Sequence, residues 1–211
     1  MNALHAARHI TVALTLLAPS PLMATQEPPP GMTAQELADI QRRMREAAEL
    51  GEGHALLGSL AGEWEELLKL WPSPGAEVMI TEGRASAHMI LDGRFLWLES
   101  NVSLPGQETG SVILMGFDGR SGEFTTLGMD ASATYWVTGR GTYDPSVRTI
   151  TMSGTDYQPI IGHVQEYDFV LRLVDENTFV WEVWFKDEMH TRGGAPHKMV
   201  EITFSRRGDS Q

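Results

Sequence analysis

The chain has 211 residues, 42% of them hydrophobic and 21% charged, the balance of an ordinary globular protein with enough length for one good core. Its 28 acidic against 16 basic residues give a formal charge of −12, and no block of Lys or Arg interrupts the excess, so a nucleic-acid partner is not expected and an anionic membrane surface is disfavoured. Cysteine is absent, which excludes disulfides, thiol catalysis, thiolate-bound metals and Cys-ligated iron–sulfur clusters.

Residues 1–24 read as a secretory signal. Arg8 precedes the apolar run from Ile10 to Ala18, and Pro19 to Ala24 supplies a cleavage region. The run is too short to act as a stable membrane anchor, so the expected location is exported, periplasmic or secreted. Residues 25–31 form a proline-rich linker that blocks a helix. An amphipathic helix is expected over 32–51. Thr33 and Glu36 make a capping box, Leu37, Ile40 and Met44 fall at helical spacing, and Gly51 supplies a stop.

After a short helical turn the period changes at Gly62 from helical to alternating. Turn signals at Asp92-Gly93, Asp118-Gly119, Asp144-Pro145 and Asp175-Glu176-Asn177 separate runs rich in β-branched and aromatic residues. Strands are predicted near 62–71, 77–90, 94–103, 110–117, 122–129, 133–142, 148–155, 163–174, 178–187 and 196–206. About ten antiparallel strands joined by hairpins predict an all-β, up-and-down β-barrel over 52–207, with 208–211 as a tail. A sandwich is the alternative; closure suits next-neighbour hairpins and removes exposed edges.

The Gly62-Glu63-Trp64 start of the first strand resembles the Gly-x-Trp signature of lipocalin-like (calycin) barrels. The stretch His54 to Trp64, Met89 to Leu96, Gly116-Phe117-Asp118, Gly141 to Asp144 and Glu201 to Phe204 together resemble the bacterial DUF1579 family, over nearly all of 51–207. The resemblance implies a lipocalin-like barrel and brings no established activity or site residues. It also implies that Trp64 closes one end of the barrel with an Arg of the last strand over it. Period two puts Arg206 on the face of Val200, Ile202 and Phe204, and a guanidinium suits a Trp face. Two positions depart from the family pattern: Glu66, where a small apolar residue is usual, and Gly128, where an aromatic is usual.

If Trp64 points inward, so does Glu66 two residues on. A buried carboxylate needs a partner, and Arg94, in line with Leu96, Leu98 and Ser100, is the candidate; the pair is either a ligand clamp or structural. His163, Gln165 and Tyr167 share a face with Phe169, Leu171 and Leu173, as a pocket mouth would. On the next strand Trp181 lies with Phe179, Val183 and Phe185. Both faces there carry apolar residues, and with the odd face inward Glu182 reads as a solvated acid.

No metal site is expected: Asp187, Glu188, His190 and His197 can be drawn together, but the segment reads as a flexible polar hairpin. No cofactor is expected either. Barrels of the nitrobindin type hold haem through a histidine, but their glycine-rich, proline-containing start is missing here. The leading expectation is a small, largely apolar molecule bound inside the barrel, with Glu66, Arg94, His163, Gln165, Tyr167 and Trp181 as ligand-facing candidates. The alternatives are a barrel enzyme using Glu66 or His163 as acid or base, and a filled barrel acting as a structural or interaction module through its N-terminal helix. Nothing in the pattern sets an oligomeric state.

Overall fold

A computed structural model of the chain describes residues 28–104 and 107–208. The expected signal at 1–24 and the first part of the linker lie outside the described residues. The chain divides into two units between Glu46 and Ala47, and each is taken by itself.

The first unit holds most of helix α1, Ala34–Ala48. Its capping box is formed: the Thr33 N–H donates to Glu36 Oε2 at 2.8 Å and the Glu36 N–H to Thr33 Oγ1 at 3.2 Å. An ion pair from Arg42 to Glu46 at 3.0 Å adds i,i+4 support. The helix stops at Ala48 and not at Gly51, because Gly51 is used differently. It is the N-cap of a second helix, α2, Glu52–Gly58, and its N–H donates to His54 Nδ1 at 3.1 Å.

Ten strands follow: β1 Gly62–Leu70, β2 Met79–Ile90, β3 Phe95–Leu104, β4 Gln107–Asp118, β5 Glu123–Asp130, β6 Val137–Asp144, β7 Thr149–Gln158, β8 His163–Leu173, β9 Thr178–Phe185 and β10 His197–Arg206. A one-turn helix, α3, Glu188–Thr191, joins the last two. Each strand pairs antiparallel with its neighbour in sequence and β10 pairs with β1, so the barrel is closed and has no free edge. The strand expected at 133–142 starts later, at Val137. Asp130 Oδ1 accepts from the Ser132 N–H at 2.8 Å and holds the chain in a turn, which overrides the β-propensity of Tyr135 and Trp136 and leaves both exposed.

The two ends of the barrel differ. At one end α2 packs against β2, β3 and β4, with Leu57 and Leu60 in the same buried core as Trp64, Leu96, Phe179 and Phe204. Gly62 makes the turn from α2 into β1. It sits at φ +142, a backbone conformation that favours glycine, and a Cβ there would lie 2.3 Å from Arg206 Nη1, so a side chain would also displace the guanidinium. At the other end the inward residues Leu68, Val137, Val183, Phe185 and Val200 pack on the core but stay partly accessible. Accessibility reaches Ile113, two residues from fully buried Met115. Beside it, a Cβ on Gly128 would meet only Val137 Cγ2, at 3.5 Å. Among the described residues no helix is long and apolar enough to cross a membrane.

Candidate functional site

Alternation along β1 carries Trp64, Glu66 and Leu68 to the inner wall, and Glu66 is only 3% exposed. Its carboxylate lies along the wall over Gly83, its direct partner on β2. A Cβ at 83 would stand 3.0 Å from Glu66 Oε2 and 2.6 Å from both Val102 Cγ1 and the Asn101 carbonyl, so glycine is what leaves room for the acid. Ser100 Oγ, from β3, donates to Glu66 Oε2 at 2.6 Å. Oε1 has no partner among the described residues. Burial raises the carboxyl to about 7, against a smaller lowering from the Ser100 hydrogen bond.

Arg94 is not the partner expected for this acid. It lies in the turn before β3, exposed, with Nη1 3.4 Å from each of the Leu91 and Asp92 carbonyls. Six residues separate it from Ser100, on the order of 20 Å along a strand. Period two identifies the face of a residue but not its height on the barrel, and a side chain cannot span that length.

Two further polar atoms on the inner wall have no hydrogen-bond partner among the described residues: Thr126 Oγ1 on β5 and the Tyr167 hydroxyl on β8. The Tyr167 hydroxyl lies near the Thr138 backbone without closing a bond of ordinary geometry. Burial pushes its ionisation up, the Thr138 backbone partly offsets this, and the charge of Asp156 adds to the rise. A buried polar atom left unpaired costs about 1–3 kcal/mol, so three of them on one inner wall call for an explanation. Trp181 is also inward and buried, its ring 5.5 Å from that of Phe169.

At the rim of the accessible end, His163 and Gln165 are partly buried on the inward face of β8. The segment after β9 is an ordered helical turn and not a flexible hairpin. Asp187 caps it, accepting from the His190 N–H at 3.2 Å, and is itself only 7% exposed. Asp187 Oδ1 also meets His163 Nε2 and His190 Nδ1, each at 2.9 Å, and His190 stacks on Phe185 with ring centroids 4.0 Å apart. His197 is elsewhere, its Nε2 2.9 Å from the Trp71 carbonyl. Burial raises Asp187, but hydrogen bonds from His190, His163 and the Glu166 backbone more than offset this and hold it at about 2.

Asp187 binds its proton more weakly in the folded protein than in the unfolded chain, where the ordinary value is 3.8. The group stabilises the fold above pH 4, and the contribution is lost as pH falls from about 4 through 2. Asp187→Ala is therefore expected to cost about 2 kcal/mol at pH 7 and much less at pH 2. Urea denaturation at the two pH values checks this; an equal cost at both would mean that the carboxylate charge contributes nothing.

Glu182 is outward, as the odd-face register of β9 requires, yet it is not solvated. At 6% exposure it is enclosed by Arg172 at 2.7 Å, Trp184 Nε1 at 2.8 Å and Lys198 at 3.4 Å. At the closed end the Arg206 guanidinium carbon stands 4.2 Å from the Trp64 ring centroid, directly opposite in register. The same guanidinium donates to the Ala61 and Ser59 carbonyls at 2.9 and 3.0 Å. A groove of about 660 Å³ runs on the outer wall across β4 to β8, bordered by Phe95, Leu127, Arg140 and Lys186.

A closed ten-stranded antiparallel barrel, plugged at one end by a helix and Trp64 and carrying a buried acid midway, defines a lipocalin-like protein. Residues 49–206 match the family model described as a protein of unknown function, DUF1579, and the chain belongs to that family. No curated protein matches it in sequence. Among solved structures it is similar to Rv2717c from M. tuberculosis, at 11% identity and a TM-score of 0.53, covering 76% of this chain and 100% of that one; the likeness is one of fold. A redesigned β-barrel is also similar, at 10% identity and a TM-score of 0.39, covering 72% and 96%.

Proposed function

We propose that this protein is exported and binds a small, largely apolar molecule in the half of the barrel away from α2. The observation that carries the reading is the set of three unpaired polar atoms, Glu66 Oε1, Thr126 Oγ1 and Tyr167 OH, on an otherwise apolar inner wall. A ligand's polar end relieves such atoms, and Leu68, Ile113, Val137 and Val183 offer its apolar body a partly accessible surface. His163 and Gln165 stand at the mouth, and Trp181 with Phe169 supplies aromatic wall. Arg94, far from this level, has no part in it.

Native mass spectrometry of protein purified from its own cell envelope tests the reading. The expected result is a bound mass of a few hundred daltons that denaturation releases, together with uptake of the apolar fluorophore N-phenyl-1-naphthylamine by emptied protein. Absence of both would overturn it. The Glu66 carboxyl, raised to about 7, also has the protonation behaviour of a general acid or base. Recovery of two chemically related molecules in place of one favours that second reading.

A further inference from the structure

We propose that the molecule held in the barrel is a lipophilic amine, its protonated nitrogen seated on the free Oε1 of Glu66. This rests on the binding reading above and narrows it to a chemical class. An ionised carboxylate only accepts hydrogen bonds, and Glu66 Oε2 is already served by Ser100, so whatever meets Oε1 must be a donor. The chain's nearby cations are all turned elsewhere. Arg206 is bound to the Ala61 and Ser59 carbonyls over Trp64, Lys69 faces outward onto Glu201 at 2.8 Å, Arg94 is at the exposed turn, and His163 is held by Asp187.

The inner wall therefore presents a buried acid at mid-depth with no base among the described residues to neutralise it. A buried charge without a counter-charge is costly, and the costs of two opposite charges largely cancel when they are buried as a hydrogen-bonded pair. A cationic head group supplies both the donor and the charge; a neutral alcohol supplies only the donor; a carboxylate supplies neither and adds repulsion. The chain's excess of acids favours approach of a cation in the same sense. Gly83 beside the carboxylate leaves it room along the wall, while the partly accessible Ile113, Val137 and Val200 receive hydrocarbon.

The test uses three molecules with one chain length and three head groups. Octylamine, octanol and octanoate displace N-phenyl-1-naphthylamine from the whole protein at pH 8. The amine is expected to bind about tenfold more tightly than the alcohol, and the acid more weakly than either. In Glu66→Gln the amine and the alcohol are expected to converge to within about threefold, with alcohol binding retained. Should that variant fail to fold, the order of head groups on the unaltered protein decides alone. Octanol or octanoate binding as tightly as octylamine overturns the amine while leaving the barrel as a binding vessel; no uptake of the fluorophore and no binding of any of the three overturns both.

Discussion

Glu66→Gln is expected to flatten the stability profile between pH 4 and pH 8, so that the variant gains about 3 kcal/mol on the wild type across that range. The folded protein holds this carboxyl at about 7, against 4.5 for an ordinary glutamate, so the native state binds the proton more tightly than the unfolded chain. Below pH 4.5 both states are protonated and the acid contributes no difference. As pH rises toward 7 the unfolded chain releases its proton and the native state does not, and folding becomes steadily less favourable. Above 7 the whole penalty is present. Glutamine has nearly the same shape, keeps an oxygen to accept from Ser100, and does not ionise. Urea titrations of both proteins at pH 4, 6 and 8 give the result as a difference of differences, which removes every other titrating group. Parallel profiles would show that Glu66 ionises in the barrel without hindrance.

What the sequence made legible and what it did not can be separated by range. Alternation and turn residues are local, and they located the ten strands; with Trp64 inward, as the resemblance implies, they also turned Glu66 inward two residues on. They also placed His163, Gln165 and Tyr167 on one face. The partner of Glu66 was not legible, because Ser100 and Arg94 share a face and only the pairing of β2 with β3 sets their heights. The reading of β9 was ambiguous for a related reason. Its outer face is itself buried, with Trp184, Arg172 and Lys198 closing over Glu182, so the apolar pattern marks two covered faces and not one. Asp187 shows a mixed case. Its spacing of three from His190 is a helix-capping signal that could have been read, whereas its bond to His163 crosses from β8 to the end of β9 and leaves no local trace. Gly62 was legible as part of a signature, but the reason for it, a positive φ beneath a guanidinium from the far end of the chain, is tertiary.

The largest loss of stability is expected at the closed end, where Trp64→Ala should cost about 4 kcal/mol. The side chain is 1% exposed, its Nε1 donates to the Leu60 carbonyl at 3.0 Å, and its ring meets Phe179 edge-on at 4.7 Å. Arg206 covers the other face while joining the last strand to the Ser59 and Ala61 carbonyls just after α2, so Arg206→Ala should cost about 2 kcal/mol by itself. If the ring and the guanidinium act on each other, the double variant loses less than the two single losses added, by about 1 kcal/mol. Denaturation of the four proteins of that cycle measures the coupling. Zero coupling would make Arg206 a clamp on two carbonyls and nothing more. The same variants separate the plug from the pocket. Glu66 lies at mid-depth and the accessible residues near Ile113 toward the opposite end, so a Trp64→Ala protein that still folds should keep its preference for octylamine over octanol. Loss of that preference in a folded protein would place the ligand against the plug and away from the carboxylate.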